Sequence, residues 1–202
     1  MYLSKCMLNS SKPINPYLYH GEIWKLFPDR PDDKRDFLFR VENMGRRKPQ
    51  KILLQSKEKP IMNEESLITI IDTFEAKSEK LEKNINAGRL LNFLIRANPT
   101  KRIKDETKTK NQGKVRVPLI DESEMKSWLC RQLEGAAKLS EVMINGQDIL
   151  YFRKGNHAGK MVTVTYSGIL KVDNTDTLLK KVVDGIGPAK AFGCGLLSLA
   201  RV

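Results

Sequence analysis

Alternating apolar and polar positions over residues 1–8 predict a strand. The alternation returns over 36–41, where Phe37, Phe39 and Val41 fall on one face. Between them, residues 16–27 place Leu18, Trp24 and Leu26 among the apolar positions of a helix, behind an Asn15-Pro16 start signal. Pro28 and Pro31 end it. Residues 51–56 predict another strand, a short helix is expected from Glu64, and 68–71 predict a further strand.

The second half repeats this order. Residues 90–97 read as a strand, and 121–139 as a helix with Asp121 as N-cap and Glu124 three residues on. Met125, Trp128, Leu129, Leu133 and Ala136 mark its buried stripe. Residues 149–153 and 161–166 form a predicted hairpin across the glycine-rich turn at 155–159. A short helix over 176–183, capped near Thr175, and a strand over 196–202 complete the chain.

Strand, helix, strand, strand, helix, strand therefore occurs twice. The expected fold is α+β: tandem ferredoxin-like (RRM-like) domains, each βαββαβ with an antiparallel sheet, spanning 1–87 and 88–202. RNA-recognition modules of this shape stack bases on aromatic residues of the open sheet face. No such aromatic pattern lies on these strands, so any RNA contact is expected to use charge, loops and the cleft between domains.

Composition sharpens that expectation. Lys and Arg outnumber Asp and Glu by 36 to 24, a net +12, which fits an anionic polymer or surface as partner. No apolar run reaches the roughly 18 residues of a spanning helix, and no signal-peptide core opens the sequence, so a membrane role is not expected. Cys6, Cys130 and Cys194 are too widely spaced for a disulfide framework or a zinc pattern. A reducing cytoplasm is expected, with all three as small buried hydrophobes.

The tail at 185–199 is a glycine loop with one lysine, Lys190, and Gly185, Gly187, Gly193 and Gly195 around it. Glycines let backbone N–H groups approach phosphate oxygens. The loop follows a helix and precedes a strand, the reverse of a dinucleotide-binding turn, and it lacks the Gly-Lys-Ser/Thr ending of a P-loop. A phosphate backbone suits it better than a mononucleotide.

Basic residues cluster in three places. Eight lie between Arg96 and Arg116, including Lys101, Arg102, Lys108 and Lys110, in what reads as an exposed loop. Arg46, Arg47, Lys48 and Lys51 form a second group. Arg153, Lys154 and Lys160 flank the predicted hairpin tip. A two-stranded ribbon tipped with cations can lie along a nucleic-acid backbone, positioning it without reading sequence.

Of two histidines, His157 sits in the hairpin turn, whereas His20 follows Tyr17 by three residues and so shares its helix face. Lys25 lies five residues on. Metal-free RNA cleavage needs a proton acceptor, a proton donor and a cation for the phosphorane, which histidine, tyrosine and lysine supply. A packing or capping role for His20 is the competing reading. No Asp/Glu/His cluster suggests a metal, and no cofactor is expected.

Residues 1–5, 24–28 with 35–39, 96–99 and 185–199 together resemble the CasE-type CRISPR repeat endoribonucleases, the crRNA-processing subunits of type I-E Cascade. The resemblance implies metal-independent cleavage of pre-crRNA at the base of the repeat stem-loop, a 2′,3′-cyclic phosphate or related 3′ end, retention of the product hairpin, and assembly with other Cascade subunits. It implies a catalytic role for His20 with Tyr17 and Lys25 as helpers. It also implies RNA contacts at Lys160, to which the charge and glycine patterns add Arg96, Lys101, Arg102, Arg153, Lys154, Gly187, Lys190, Gly193 and Gly195. The alternative is a non-catalytic RNA-binding or scaffold subunit on the same fold.

Overall fold

A computed structural model describes residues 1–10, 15–28, 35–42, 50–104 and 114–202, the side chains of 78–80 and 154 excepted. The basic residues Arg46, Arg47, Lys48, Lys108 and Lys110 lie outside the described residues. So does the Lys154 side chain.

The first unit comprises β1 (Tyr2–Leu8), α1 (Leu18–Trp24), β2 (Phe37–Glu42), β3 (Gln50–Ser56) and β4 (Ile68–Glu75), followed by α2 (Ser78–Asn84). Its antiparallel sheet has the order β2-β3-β1-β4. The alternation read in β2 places Phe37 and Phe39 in the core beneath α1, with Val41 packed on it. Cys6, Leu8, Ile23, Leu26, Ile52, Leu54 and Ile68 complete that core. The helix expected from Glu64 does not form. Asn63 Oδ1 accepts from the Glu65 N–H at 2.9 Å, and Glu22 Oε2 accepts from the Leu67 N–H at 2.7 Å. Ser66 Oγ donates to the Glu22 carbonyl at 3.0 Å. Side chains that offer the backbone such partners hold a turn in place of a helix.

The second unit comprises β5 (Leu90–Ala97), β6 (Thr100–Lys104), β7 (Lys114–Pro118), α3 (Glu122–Leu133), β8 (Ala137–Lys154), β9 (His157–Val172), α4 (Thr175–Asp184) and β10 (Leu197–Arg201). Its main sheet runs β10-β5-β9-β8. With β6 and β7 set aside as an inserted hairpin, both units share one antiparallel strand order, that of the ferredoxin-like fold. Asp121 caps α3 as read, its Oδ1 accepting from the Glu124 N–H at 2.9 Å. The helix stops at Leu133 rather than 139 because Gly135 turns left-handed (φ 73°), and Ala137 to Leu139 join β8 against β9. Within and just beyond 96–116, expected as an exposed loop, residues 100–104 and 114–118 pair as β6 and β7, a pairing that the many cations hide in the sequence.

The two units meet on the face of the first sheet opposite α1. Leu38, Arg40 and Gln55 on that face are buried. Gln55 Nε2 donates to the Val182 carbonyl at 2.8 Å, satisfying an end of α4 that the helix itself leaves open. Arg40 Nη1 donates to Ser198 Oγ at 2.8 Å. The glycine-rich tail also passes the edge strand β2 and packs on α1.

Candidate active site and RNA interface

α1 is a short helix, and His20 lies on it half-buried among aromatic rings. Its ring centroid is 5.5 Å from Phe37 and 6.1 Å from Trp24, the latter edge-on. Burial, and then the positive charge of Arg35, hold the imidazole below its ordinary value of 6.5. Arg35 precedes β2, and its Nε is buried without a hydrogen-bond partner among the described residues.

The glycine tail reaches the same place. Lys190 opens a single 3-10 turn, Lys190–Phe192, that packs on α1. Its Nζ donates to the Asp184 carbonyl at 2.6 Å. Burial and then Arg35 lower its pKa, while Asp184 opposes them. Arg35 thus repels both His20 and Lys190. A positive charge that acts on both groups, one on α1 and one on the tail that packs against it, suits a phosphate.

Tyr17, just before α1, is exposed, and its ring lies 6.2 Å from Phe192. Lys25 is turned elsewhere. Its Nζ donates to Glu22 Oε1 and to the Glu65 carbonyl, each at 2.9 Å, because a step of five positions turns it about 140° around the helix axis from His20. Arg35 and Phe192 escaped the sequence reading. An arginine opening an aromatic strand beside a buried histidine was the available signal.

The glycines of the tail face protein. A Cβ on Gly187 would lie 2.8 Å from the Trp128 ring, and one on Gly195 would lie 2.7 Å from the Ile186 carbonyl. Gly193 fits against Phe39, and all three have left-handed backbones. Arg96, expected on the RNA surface, is buried. Its Nε bonds Thr163 Oγ1 at 3.1 Å and its Nη2 pairs with Asp148 at 2.9 Å, so its charge is neutralised within the protein.

Two ribbons carry the exposed cations. In β6 and β7, Arg102 faces Arg116 and Lys104 faces Lys114, which puts four cations on one face. Like charges directly opposite one another destabilise a ribbon unless an anion lies between them and solvent. Lys101 projects from the other face and pairs with Glu124 at 2.9 Å. The β8 and β9 ribbon closes through Gly155 and Asn156, with Arg153 and Lys160 exposed and His157 opposite Lys154.

Cysteine chemistry finds no support. Burial pushes the Cys6 and Cys194 thiols up to about 12. Cys130, expected to be buried, is exposed on α3. Among the described residues, no group of three or more His, Cys, Asp or Glu could hold a metal ion.

A family model described as CRISPR associated protein matches residues 1–201. The chain belongs to the CRISPR-associated proteins. Within that family it is similar to the CRISPR system Cascade subunit CasE of Escherichia coli K12, with 39% identity over 204 residues covering 99% of each chain. The crystal structure of the CRISPR-associated protein Cas6e from E. coli K-12 superposes with a TM-score of 0.83 at 36% identity, covering both chains fully. A CRISPR endoribonuclease Cse3 bound to 19 nt RNA gives 0.81 at 29% identity, again over both chains. These matches agree with the CasE-type resemblance and with the tandem ferredoxin-like architecture.

Proposed function

We propose that this CRISPR-associated protein is an endoribonuclease that binds the CRISPR repeat stem-loop, cleaves pre-crRNA at the base of the hairpin, and keeps the product within Cascade. The observation that carries the reading is the half-buried imidazole of His20, packed on Phe37 and Trp24, with the charge of Arg35 acting on it. Full-length similarity to a protein named as a Cascade subunit, and to an endoribonuclease bound to RNA, supports the substrate and partner classes. A cytoplasmic location follows from that assignment. No helix among the described residues is long and apolar enough to cross a membrane.

The neutral imidazole, favoured at neutral pH by its depressed pKa, takes the proton of the 2′-hydroxyl. The 2′-oxygen attacks the adjacent phosphorus, the bond to the 5′-oxygen breaks, and a proton reaches the leaving oxygen. Tyr17, three residues before His20, orients or supplies that proton. Arg35 and Lys190 stabilise the developing phosphorane charge. Lys25 joins them only by leaving Glu22 and the Glu65 carbonyl. Arg153, Lys154, Lys160 and the cationic face of β6 and β7 hold the stem by its phosphates.

The test is cleavage of a labelled repeat hairpin in EDTA by wild type and His20→Ala. Loss of cleavage with hairpin binding retained is expected. Full activity of the variant would remove His20 from the mechanism.

A further inference from the structure

β8 and β9 run well beyond the sheet. Over residues 147–160 the ribbon is largely exposed, and an isolated pair of strands is marginally stable. Two contacts tie this free end to the start of α1. Asn15 Nδ2 donates to the Arg153 carbonyl at 2.5 Å, and Asn15 Oδ1 accepts from the Arg153 N–H at 3.2 Å, extending the ribbon edge by one side chain. The same Oδ1 accepts from the Tyr17 N–H at 3.2 Å, and the Asn15 carbonyl accepts from the Leu18 N–H at 2.8 Å. One residue thus holds both the first turn of α1 and the ribbon.

The second contact is aromatic and arises from a different part of the chain. Phe192, on the glycine tail, lies 4.7 Å from the Phe152 ring and 6.2 Å from Tyr17. Phe152 in turn lies across Gly159, its partner in β9, where any Cβ would collide with the ring. The sequence Gly159, Phe152, Phe192, Tyr17 is a continuous packed path from the ribbon to the helix.

We infer that Asn15 and Phe192 are positioning residues for cleavage, fixing the RNA-gripping ribbon in register with His20. Neither needs to touch RNA. The phosphates are held by the ribbon, the reacting bond is met by α1, and these elements belong to different domains. An error of about 1 Å between them costs on the order of 100-fold in rate. The inference rests on the reading of His20 as the catalytic base.

The experiment compares Asn15→Ala, Phe192→Leu, Phe192→Tyr and His20→Ala in the full-length protein, on one repeat hairpin. It reads the single-turnover rate at saturating protein, the affinity for the cleaved hairpin, and the position of the cut. The first two variants are expected to cleave about 10- to 100-fold more slowly and at scattered bonds, with affinity unchanged. Phe192→Tyr, which keeps the ring, is expected to restore both rate and cut site. Wild-type rate and a single cut site in Asn15→Ala and Phe192→Leu, with His20→Ala inactive, would overturn the positioning role while leaving the catalytic assignment intact. Loss of affinity parallel to the loss of rate would also overturn it, since the residues would then serve binding. Full activity of His20→Ala would overturn both readings.

Discussion

The imidazole of His20 lies 5.5 Å, centroid to centroid, from the ring of Phe37, the first residue of β2. That apolar neighbour replaces water on one side of the histidine, and Arg35, two residues before Phe37, adds a positive charge. Both disfavour the imidazolium.

The pH dependence follows from that depression. The folded protein binds the His20 proton less tightly than the unfolded chain, whose value is near 6.5. The stability this group contributes is therefore complete above 6.5 and is lost as pH falls toward the folded value. In an NMR titration His20 should titrate below 6.5, and His20→Gln should show a shallower loss of stability on acidification. Binding an uncleavable hairpin should raise the His20 pKa, because a phosphate favours the charged ring. A value at or above 6.5 in the free protein would contradict the packing described here.

The cation at the reacting centre should be Arg35 rather than Lys25. Arg35→Ala is expected to raise the pKa of His20 and to slow cleavage about 10- to 100-fold, the usual range for one preorganised electrostatic group being up to ~1000-fold. Lys25→Ala should cost much less, because its ammonium is held by Glu22 and the Glu65 carbonyl. Single-turnover rates of the two variants decide the ranking. The reverse order would mean that RNA draws Lys25 out of its ion pair.

The cationic face of β6 and β7 makes a prediction about salt. Arg102→Ala and Arg116→Ala should each flatten the slope of log affinity against log salt by about 0.7 to 0.9, the effect of one lost phosphate contact. Lys101→Ala should change it less, since Lys101 lies on the opposite face and pairs with Glu124. Equal slopes for all three would mean that the ribbon does not present one face to the backbone.

The β-rich frame was readable because its strands alternate cleanly, as Phe37, Phe39 and Val41 show, and because Asp121 and Glu124 mark a helix start. The candidate site was only half readable. Tyr17 and His20 share a face by local spacing, so helical geometry sufficed for them. Arg35 joins them through the packing of β2 beneath α1, and Lys190 and Phe192 through a contact between domains; no spacing encodes either. Gly135 shows the opposite failure: the apolar stripe of α3 seemed to run on through Ala136, and only the left-handed turn ends it. Cations along residues 101–116 concealed a hairpin whose apolar positions are few, Ile103, Val115 and Val117.

Stability at the tail should depend on glycine for reasons of packing. Gly195 has φ 91°, a backbone that costs an alanine about 1 to 2 kcal/mol, and the added Cβ would crowd the Ile186 carbonyl. Gly195→Ala should lower the denaturation midpoint by at least that amount. An unchanged midpoint with weakened RNA binding would instead assign this glycine to the RNA surface.

The central claim is that the chain cuts RNA by internal attack of a 2′-hydroxyl assisted by His20. Analysis of product ends from a cognate repeat, cleaved in EDTA, tests it most directly. The account predicts a 5′-hydroxyl on one fragment and a 2′,3′-cyclic phosphate on the other, with neither formed when a 2′-deoxy residue replaces the nucleotide at the cut. A 5′-phosphate, or cleavage of the deoxy substrate, would contradict it.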